Sequence, residues 1–429
     1  MKQNPDGQPR KHEFLRNVFT LFSGSLASSA IPFLATIILS RYFSEEVFGT
    51  FFVFSSTVAV LSILGTLQYE LAIMLPDNEH ESVNLFVLSI AVTVIVSLLL
   101  LVAVALLHNP VVRLLGDEGM SFWLWFVPLS VLLTGIFQAY NYWCNRFKRY
   151  SLISWSKVSR ATTMSALQIG AGFAPLFKSF GLIAGQIIGQ LIGNLHIIYL
   201  SMKETRAMMK FVSWKKMLFV ARKYRDVPLF NTLLQGMNSL SNQLPVFLLT
   251  RFFGTATAGQ YGMSNRIIAT PMGLIGQSTG QVFFQKATEV FNARGDFYGL
   301  IKKTYVSLLK VAALPYLLML IFAPLLFSFF FGAKWGDAGI YTQVLVPWLF
   351  MMFLNSPLTF IITILNKQRQ MVVYDSMLII MRFASLYVGY KVFSSTLVCL
   401  ALFSATGFLF NLVLMFYFLY ISKHAYRGK

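Results

Sequence analysis

Two adjacent stretches of otherwise apolar sequence carry polar side chains at helical spacing. The first carries four amides, Asn231, Gln235, Asn238 and Asn242. The second carries Arg266, Thr270, Gly273, Gln277 and Gln281, which provide a guanidinium, a hydroxyl and two amides besides the glycine. Intervals of three and four residues place side chains on one face of an α-helix, and polar groups facing lipid are costly. Each stripe therefore faces a neighbouring helix or a wetted cavity, and the pairing of two stripes favours the cavity.

Arg266 is a permanent cation about one third of the way along the stretch Tyr261–Phe284. A charged side chain at the centre of a bilayer costs about 2.5–3.5 kcal/mol on insertion scales, and no acidic residue of the second half falls clearly inside a predicted span. Those expected at or beyond helix ends are Asp226, Glu289, Asp296, Asp337 and Asp375. A guanidinium offers forked donors to phosphate and stays charged. We therefore expect Arg266 to attract an anionic substrate. Arg382, in the eleventh predicted span, is the second candidate, with snorkelling to the interface as its alternative.

Glu70 lies in the segment "QYELAIM", at the end of the second predicted span and followed by apolar residues. Desolvation there would raise the pKa of its carboxyl group, which suits a residue involved in gating or coupling. The alternative is a structural acid at a helix end that contacts a basic inner loop. The sequence leaves both interpretations open.

Side chains suited to enzymatic chemistry are scarce and scattered. None of the five histidines lies beside a nucleophile or carboxylate arrangement suited to catalysis; they are His12, His80, His108, His196 and His424. Cys144 and Cys399 show neither a disulfide nor a metal-ligand pattern. We predict no catalytic residues, no metal, no cofactor and no enzymatic activity.

The elements that position these side chains are membrane-spanning helices. The chain is 56% apolar and 12% charged, whereas soluble proteins are about 25% charged. Runs of about 20 apolar residues predict twelve spans, near residues 17–40, 48–69, 83–107, 121–143, 151–176, 179–201, 227–250, 258–284, 304–331, 339–365, 371–392 and 395–421. We expect an all-α membrane protein whose first span is retained rather than cleaved as a signal peptide.

The distribution of positive charge predicts the orientation of the spans. If both termini are cytoplasmic, the inner segments hold most of the 35 Lys and Arg residues, as the positive-inside rule requires. The net charge of +19 then reflects this bias and attraction to anionic inner-leaflet lipid. Nucleic acid is therefore a poor candidate partner. The basic inner loop Met202–Asp226 is expected to form a surface helix.

The two halves of the chain are related. "RYFSEEVFG" (Arg41–Gly49) aligns with "RFFGTATAG" (Arg251–Gly259) at an offset of 210, and "PVVRLLGDEG" (Pro110–Gly119) resembles "PLLFSFFFGAKWGDAG" (Pro324–Gly339). Two copies of six helices predict pseudo-symmetric lobes around a central cavity: residues 1–201, a cytoplasmic linker at 202–226, and residues 227–429. In the sixth span a glycine at every fourth residue predicts close helix packing; these are Gly181, Gly185, Gly189 and Gly193.

Four segments resemble the bacterial polysaccharide-export family, which includes the O-antigen flippases and belongs to the multidrug/oligosaccharidyl-lipid/polysaccharide superfamily. They are "FSEEVFGTFFVF" (Phe43–Phe54), "GTLQYELAIMLP" (Gly65–Pro76), "NYWCNRFKRYSLIS" (Asn141–Ser154) and "FFGAKW" (Phe330–Trp335). The superfamily's lipid II flippases are similar but usually carry two further helices at the C-terminus, and this sequence ends after twelve predicted spans.

The resemblance implies a flippase that moves an undecaprenyl-diphosphate-linked glycan, such as an O-antigen repeat unit for lipopolysaccharide, across the bacterial inner membrane. It also implies a cation-lined cavity, for which Arg266 is the best-fitting position. Membrane lipids are implied partners, and the polysaccharide polymerase and chain-length machinery are further candidates. A cation-coupled exporter of small molecules or drugs is the alternative, but such exporters typically bury a carboxylate in the first helix, and "NVFTLFSGSLASSAIPFLATIILS" has none. A membrane enzyme would need a larger outer loop.

Overall fold

The computed structural model describes residues 11–365 and 367–426, and the regular structure of that part of the chain is entirely helical. It contains twelve long helices within the described residues. In chain order they are α1 Lys11–Tyr42, α2 Glu45–Thr66, α3 Glu79–Leu115, α4 Val127–Arg146, α5 Tyr150–Phe173, α6 Gly181–Met209, α7 Asp226–Phe253, α8 Thr255–Asn292, α9 Phe297–Phe331, α10 Gly336–Asn355, α11 Gln368–Phe393 and α12 Thr396–Lys423. Shorter helices lie at Tyr69–Ala72, Met120–Leu124, Trp214–Lys223 and Phe360–Ile364. We call Trp214–Lys223 the linker helix.

The predicted all-α membrane fold with twelve long helices is confirmed. Eight of the helices in the described residues are long and apolar enough to cross a bilayer by composition alone. The other four, α4, α5, α7 and α8, are less apolar, and α7 and α8 are the helices with the predicted polar stripes. The observed helices differ from the predicted spans mainly in length. For example, α8 runs from Thr255 to Asn292, whereas the predicted span covers residues 258–284.

The helices pack into two compact units. Among the described residues, the first comprises those up to Leu39, Thr57–His108 and Ser121–Leu233, and the second comprises Ser40–Ser56, Asn109–Met120 and those from Leu234 onwards. Helix α3 passes from the first to the second just after Leu107, whose backbone is not helical (φ −114°, ψ 17°). Pro110 explains this kink, because proline lacks an amide donor and its ring clashes with the preceding turn.

In the first unit, α6 packs against α5 along the predicted glycine ridge. A Cβ atom added at Gly185, Gly189 or Gly193 would lie 2.7–2.8 Å from a side-chain atom of α5. Any larger residue would therefore force the helices apart. Asn194 adds a bond to a third helix, since its Nδ2 donates to the carbonyl of Leu133 in α4 at 2.9 Å. The prediction that the glycines serve packing is confirmed.

The linker helix docks on the same unit through Met217 and Val220, which are buried. Its start is held by Asn84 of α3, whose Oδ1 accepts from the amide of Ser213 at 3.0 Å. Lys223 at its end forms a salt bridge with Glu81 at 2.7 Å. Within the loop predicted at 202–226, the structure therefore has a separate helix at Trp214–Lys223, while the residues up to Met209 continue α6.

In the second unit, a buried hydrogen-bond chain ties α9, α10 and α12 together. Tyr305 Oη donates to Asn355 Oδ1 at 2.8 Å, and Asn355 Nδ2 donates to the carbonyl of Asn411 at 2.7 Å. Buried polar groups stabilise a fold when they are satisfied in this way.

The repeated segments meet in the second unit through reciprocal contacts. Arg41 donates to the carbonyl of Phe329 at 2.7 Å, beside Gly332, whose φ is +107°. Its equivalent at the offset of 210, Arg251, packs against Gly116, where φ is +71° and an added Cβ would lie 3.1 Å from the Cα atom of Arg251. Each helix-end arginine of one half thus lies on a glycine turn of the other half, where a positive φ favours glycine.

The same relation holds where α2 and α8 begin. A Cβ added at Gly49 would lie 2.7 Å from the carbonyl carbon of Thr255, and one added at Gly259 would lie 2.9 Å from the carbonyl carbon of Glu45. Adding 210 to the numbers of Gly49 and Glu45 gives Gly259 and Thr255, so the two contacts are equivalent in the repeat. Gly262 lies against the ring of Phe52, its own equivalent, so a pseudo-twofold axis passes close to this crossing. We call the Gly49–Gly259 contact the glycine crossing.

Candidate functional site

Helix α7 presents a polar face. Gln235 and Asn238 are exposed, and Asn231 and Asn242 are partly exposed. Asn242 Nδ2 donates to Asn238 Oδ1 at 2.9 Å, so these two amides are oriented by each other. The four residues predicted from their spacing therefore share one accessible stripe that can donate and accept hydrogen bonds.

Arg382 of α11 fixes one end of that stripe. Its Nη1 donates to Ser241 Oγ at 2.9 Å and to Asn242 Oδ1 at 3.2 Å. The guanidinium also lies 4.7 Å from the ring centre of Trp348 and 4.9 Å from that of Phe403, within cation–π range. Only 2% of the residue is exposed. In this structure Arg382 is enclosed, and it acts on the polar face of α7 by orienting Asn242.

Asp375 is an acidic neighbour that hydropathy placed at a helix end. The structure places it two turns inside α11, which begins at Gln368, and it interacts electrostatically with Arg382. The sequence expectation that Asp375 lies at or beyond a helix end is therefore wrong. Its spacing of seven residues from Arg382 was the available signal, because residues seven apart lie on one helix face.

Helix α8 exposes the stripe that begins at Arg266. Arg266 and Thr270 are partly exposed and Gly273 is exposed, whereas Ile268 and Met272 on the other face are buried. The Arg266 guanidinium lies 5.9 Å from the ring centre of Phe51, and Thr270 Oγ1 donates to the backbone carbonyl of Arg266 at 2.7 Å. The side chains of Gln277 and Gln281 lie outside the described residues.

Helix α2 ends in an unusual break. Leu67 and Gln68 follow Thr66 with φ angles of +45° and +55°, and the helix resumes at Tyr69. Left-handed backbone is unfavourable for residues with side chains, and it persists where the surroundings hold it in place. Here the amide of Gln68 donates to Thr66 Oγ1 at 3.2 Å.

Glu70 is buried beside that break. Its Oε1 accepts from Thr66 Oγ1 at 3.1 Å, only 3% of the residue is exposed, and its Oε2 has no hydrogen-bond partner. Burial raises the pKa of the Glu70 carboxyl group, and hydrogen bonds from its own backbone and Thr66 oppose this rise only in part. The expectation of a desolvated carboxyl group is thereby confirmed, while its role in coupling stays a prediction.

Within the part of the chain that the structure describes, no three His, Cys, Asp or Glu side chains come together as a metal site. The polar groups described above can form hydrogen bonds and carry charge: they are the amides on α7, the guanidinium on α8 and the buried carboxyl group beside α2.

A family profile described as "Polysaccharide biosynthesis protein" matches residues 14–284, which is more than half of the chain. The chain belongs to this polysaccharide biosynthesis family. It is similar to the succinoglycan biosynthesis transport protein ExoT of Rhizobium meliloti (strain 1021), with 24% identity over 333 residues. That match covers 75% of this chain and 63% of the relative, so the chain spans less than two thirds of the curated relative's length.

Solved transporters share the fold of this polysaccharide biosynthesis family member. The lipid II flippase MurJ, in an inward closed conformation, has a TM-score of 0.70 at 12% identity, covering 94% of this chain and 90% of that one. An inward-facing multidrug resistance MATE family transporter of the MOP superfamily has a TM-score of 0.66 at 15% identity, covering 96% and 99%. A MOP superfamily transporter from Pyrococcus furiosus Vc1 (DSM3638) has a TM-score of 0.61 at 13% identity, covering 95% and 96%. At these identities the likeness establishes the fold alone.

The family and the fold together confirm the resemblance found in the four sequence segments. This protein is therefore a member of the polysaccharide biosynthesis family whose fold is shared with solved transporters of the MOP superfamily. The family match includes α7 and most of α8, and therefore the residues from Asn231 to Gln281 that carry both stripes.

Proposed function

We propose that this chain is a flippase that moves a polyprenyl-diphosphate-linked oligosaccharide across the bacterial inner membrane by alternating access. The glycan we propose is an O-antigen or similar surface-polysaccharide repeat unit. Membership of the polysaccharide biosynthesis family and the fold shared with the lipid II flippase MurJ support a lipid-linked saccharide as cargo. The basic linker helix supports cytoplasmic termini, because Lys and Arg concentrate in cytoplasmic loops.

The observation that carries the proposal is the partly exposed face of α8, on which Arg266 and Thr270 retain some accessible surface. A guanidinium can hold a diphosphate with two parallel hydrogen bonds and remains charged at any physiological pH. A low-dielectric wall extends the field of such a cation and draws an anionic head group towards it. We assign diphosphate recognition to Arg266 and place Gln277 and Gln281 further along the same stripe.

The amides of α7 suit the sugar part of the cargo. Asn238 and Asn242 present donors and acceptors in fixed orientation because Arg382 anchors Asn242, and sugar hydroxyl groups need both kinds of partner. Asn231 and Gln235 extend the same face. In this assignment Arg382 positions the amides rather than touching the glycan.

Alternating access requires a contact that opens and closes, and the glycine crossing is the contact we assign to this role. We propose two lobes, residues 1–201 and 227–429, joined by the basic linker 202–226, that separate at the glycine crossing when the opposite side closes. Glu70, beside the strained break after α2, is our candidate for gating or coupling. The proposed mechanism requires no chemical change of the cargo, so no catalytic residue is assigned.

A cation-coupled exporter of small molecules or drugs is the second candidate, because multidrug resistance MATE transporters share the fold. Cargo charge distinguishes the two functions wherever the small molecule is a cation, because Arg266 would repel a cation and attract a diphosphate-linked glycan.

The test is transport by the purified full chain in proteoliposomes that contain a labelled polyprenyl-diphosphate-linked oligosaccharide. A membrane-impermeant glycosidase measures the labelled lipid that reaches the outer leaflet. We expect Arg266→Ala and Arg266→Glu to lower the rate about 10- to 100-fold, since a hydrogen bond to a charged group contributes about 1.5–3 kcal/mol. Arg266→Lys retains part of the rate. Arg369→Ala, which removes an exposed arginine at the start of α11, is the matched control.

Protein yield and melting temperature separate binding from folding. A well-folded Arg266→Ala protein with the full wild-type rate would refute the role of Arg266. No movement of the lipid-linked oligosaccharide by the wild-type protein, together with export of a cationic dye, would favour the drug exporter instead.

A further inference from the structure

One face of α6 changes character along its length. From Ile188 to Met202 its exposed residues are apolar or aromatic, with 42–72% of each residue exposed; they are Ile188, Leu191, Leu195, Tyr199 and Met202. The same face then continues with Lys203 and Arg206, both exposed. In a bilayer such an apolar face meets acyl chains, tyrosine prefers the interface, and cations lie at the phosphates. The membrane boundary on α6 therefore falls between Tyr199 and Arg206.

An open groove of about 700 Å³ lies at this boundary. It is lined by Tyr199, Leu200, Met202, Lys203, Arg206 and Ala207. Its walls combine an apolar part on the bilayer side with two cations on the water side. This is the chemical pattern of a site for the head group and upper acyl chain of an anionic lipid.

The two cations of the groove, Lys203 and Arg206, remain available to a ligand as far as the described part of the chain is concerned. Among the described residues neither Lys203 nor Arg206 forms a salt bridge, whereas Glu204 pairs with Arg149. The next residue, Thr205, is buried and accepts from Trp143 Nε1 at 3.1 Å. The inward face of this turn is therefore occupied, and its outward face offers positive charge to a ligand.

The linker helix also combines exposed apolar residues with exposed cations. It begins five residues after α6 ends, so both lie at the same end of the first unit. With Met217 and Val220 buried, its outer face exposes three large apolar residues, Trp214, Leu218 and Phe219, at 76%, 46% and 57%. Exposed cations alternate with them at Lys215, Lys216 and Arg222. Amphipathic helices of this composition lie in the interface of anionic membranes.

We infer that the groove formed by Tyr199, Met202, Lys203 and Arg206 is a binding site for an anionic phospholipid, with the linker helix lying in the adjoining head-group layer. The lipid phosphate lies between Lys203 and Arg206, where guanidinium and ammonium groups can both donate to it. One acyl chain runs along the apolar face towards Leu195. This assignment does not depend on what the protein transports.

The experiment is native mass spectrometry of the full chain, purified in a neutral detergent and titrated with cardiolipin or, separately, phosphatidylcholine. The double variant Lys203→Gln/Arg206→Gln removes the cations of the groove. Its matched control, Lys302→Gln/Lys303→Gln, removes two exposed cations from the start of α9 and causes the same change in net charge. Tyr199→Ala provides a separate test of the apolar wall.

We expect wild type to bind cardiolipin in preference to phosphatidylcholine, and the groove double variant to bind cardiolipin about 30-fold more weakly. That factor corresponds to about 1 kcal/mol for each cation near an anionic lipid. The control should stay within about twofold of wild type, and millimolar inorganic phosphate should not displace the lipid, because it lacks the acyl chain. If the double variant does not fold, each single glutamine variant should weaken binding about fivefold.

Equal cardiolipin affinity in wild type and the groove variant would overturn the inference. Equal weakening in both double variants would also overturn it, because net charge would then explain the binding. Displacement of cardiolipin by one equivalent of a polyprenyl diphosphate would reassign the groove to that lipid.

Discussion

Substituting alanine for Gly49 tests whether the backbones of α2 and α8 meet as closely as the glycine crossing indicates. An added Cβ would lie 2.7 Å from the carbonyl carbon of Thr255, and a favourable carbon–carbon contact is about 3.5–4.0 Å. Because the atom it meets belongs to the backbone, no side-chain rotation relieves the clash. The two helices must separate by about 1 Å.

Two opposing effects determine the free energy of the Gly49→Ala substitution. Alanine is favoured over glycine within a helix by about 0.8–1.0 kcal/mol. Overpacking a closed contact typically costs about 1–3 kcal/mol. Gly170→Ala in α5 isolates the first effect, since nothing lies within 4 Å of the Cβ it would add. We therefore expect Gly170→Ala to raise the melting temperature of the detergent-solubilised protein and Gly49→Ala to lower it relative to that control.

The same change should favour the open state of a transporter that separates at the glycine crossing. A bias of about 2 kcal/mol shifts a two-state equilibrium about 30-fold. Ala258 is fully buried beside Gly259, so a cysteine introduced at Ala258 reports opening through its rate of labelling by a membrane-impermeant maleimide. We expect faster labelling in the Gly49→Ala background and equally fast labelling with Gly259→Ala. The double alanine variant should add little, because one separation relieves both clashes.

A melting temperature for Gly49→Ala as high as that for Gly170→Ala, with unchanged labelling at position 258, would refute the reasoning. The helices α2 and α8 would then be too far apart for the added methyl group at position 49 to clash with the backbone of Thr255.

Two further substitutions test the polar groups. Arg382→Lys should lower the melting temperature and slow transport, because an ammonium cannot stack between Trp348 and Phe403 while holding Ser241 and Asn242; unchanged melting and transport would contradict the positioning role. Glu70 binds its proton more tightly in the folded protein than in the unfolded chain, because burial raises its pKa. Wild-type stability should therefore fall as pH rises through the unfolded carboxyl pKa of about 4.3 and level off above the folded pKa. Glu70→Gln should remove this fall and Glu79→Gln should not, as thermal unfolding across that pH range would show.

Most of the helices and the packing face of α6 could be predicted because they depend on local sequence patterns. Twenty apolar residues fill the thickness of a bilayer, and glycines four apart form a ridge wherever the helix lies. The exposed stripes of Asn238 on α7 and Arg266 on α8 followed from helical period in the same way. Each of these features can be recognised within a single segment.

Features that depend on two or more distant segments were not predicted. The side chains that enclose Arg382 come from α7, α10 and α12. The spacing of residues within α11 gives no indication of these contacts. The break at Leu67 and Gln68 was missed because neither residue is one that normally adopts a positive φ. For the glycine crossing a signal did exist: Gly49 and Gly259 occupy equivalent positions of the repeat, and a glycine present in both copies indicates a shared need for close approach.

Some residues of the repeat are the same in both halves and some are not. At the offset of 210, Arg41 corresponds to Arg251 and Gly49 to Gly259, and these pairs make the reciprocal contacts of the second unit. Arg266, however, corresponds to Ser56, which donates a hydrogen bond to Gln243 at 2.7 Å. A duplicated helix can keep its packing residues in both copies because the pseudo-twofold contact needs both. In the proposed flippase, a head group that carries one diphosphate needs only one guanidinium, so the cation can remain in a single copy. The departure from symmetry at Arg266 therefore supports the proposal that α8 recognises the cargo.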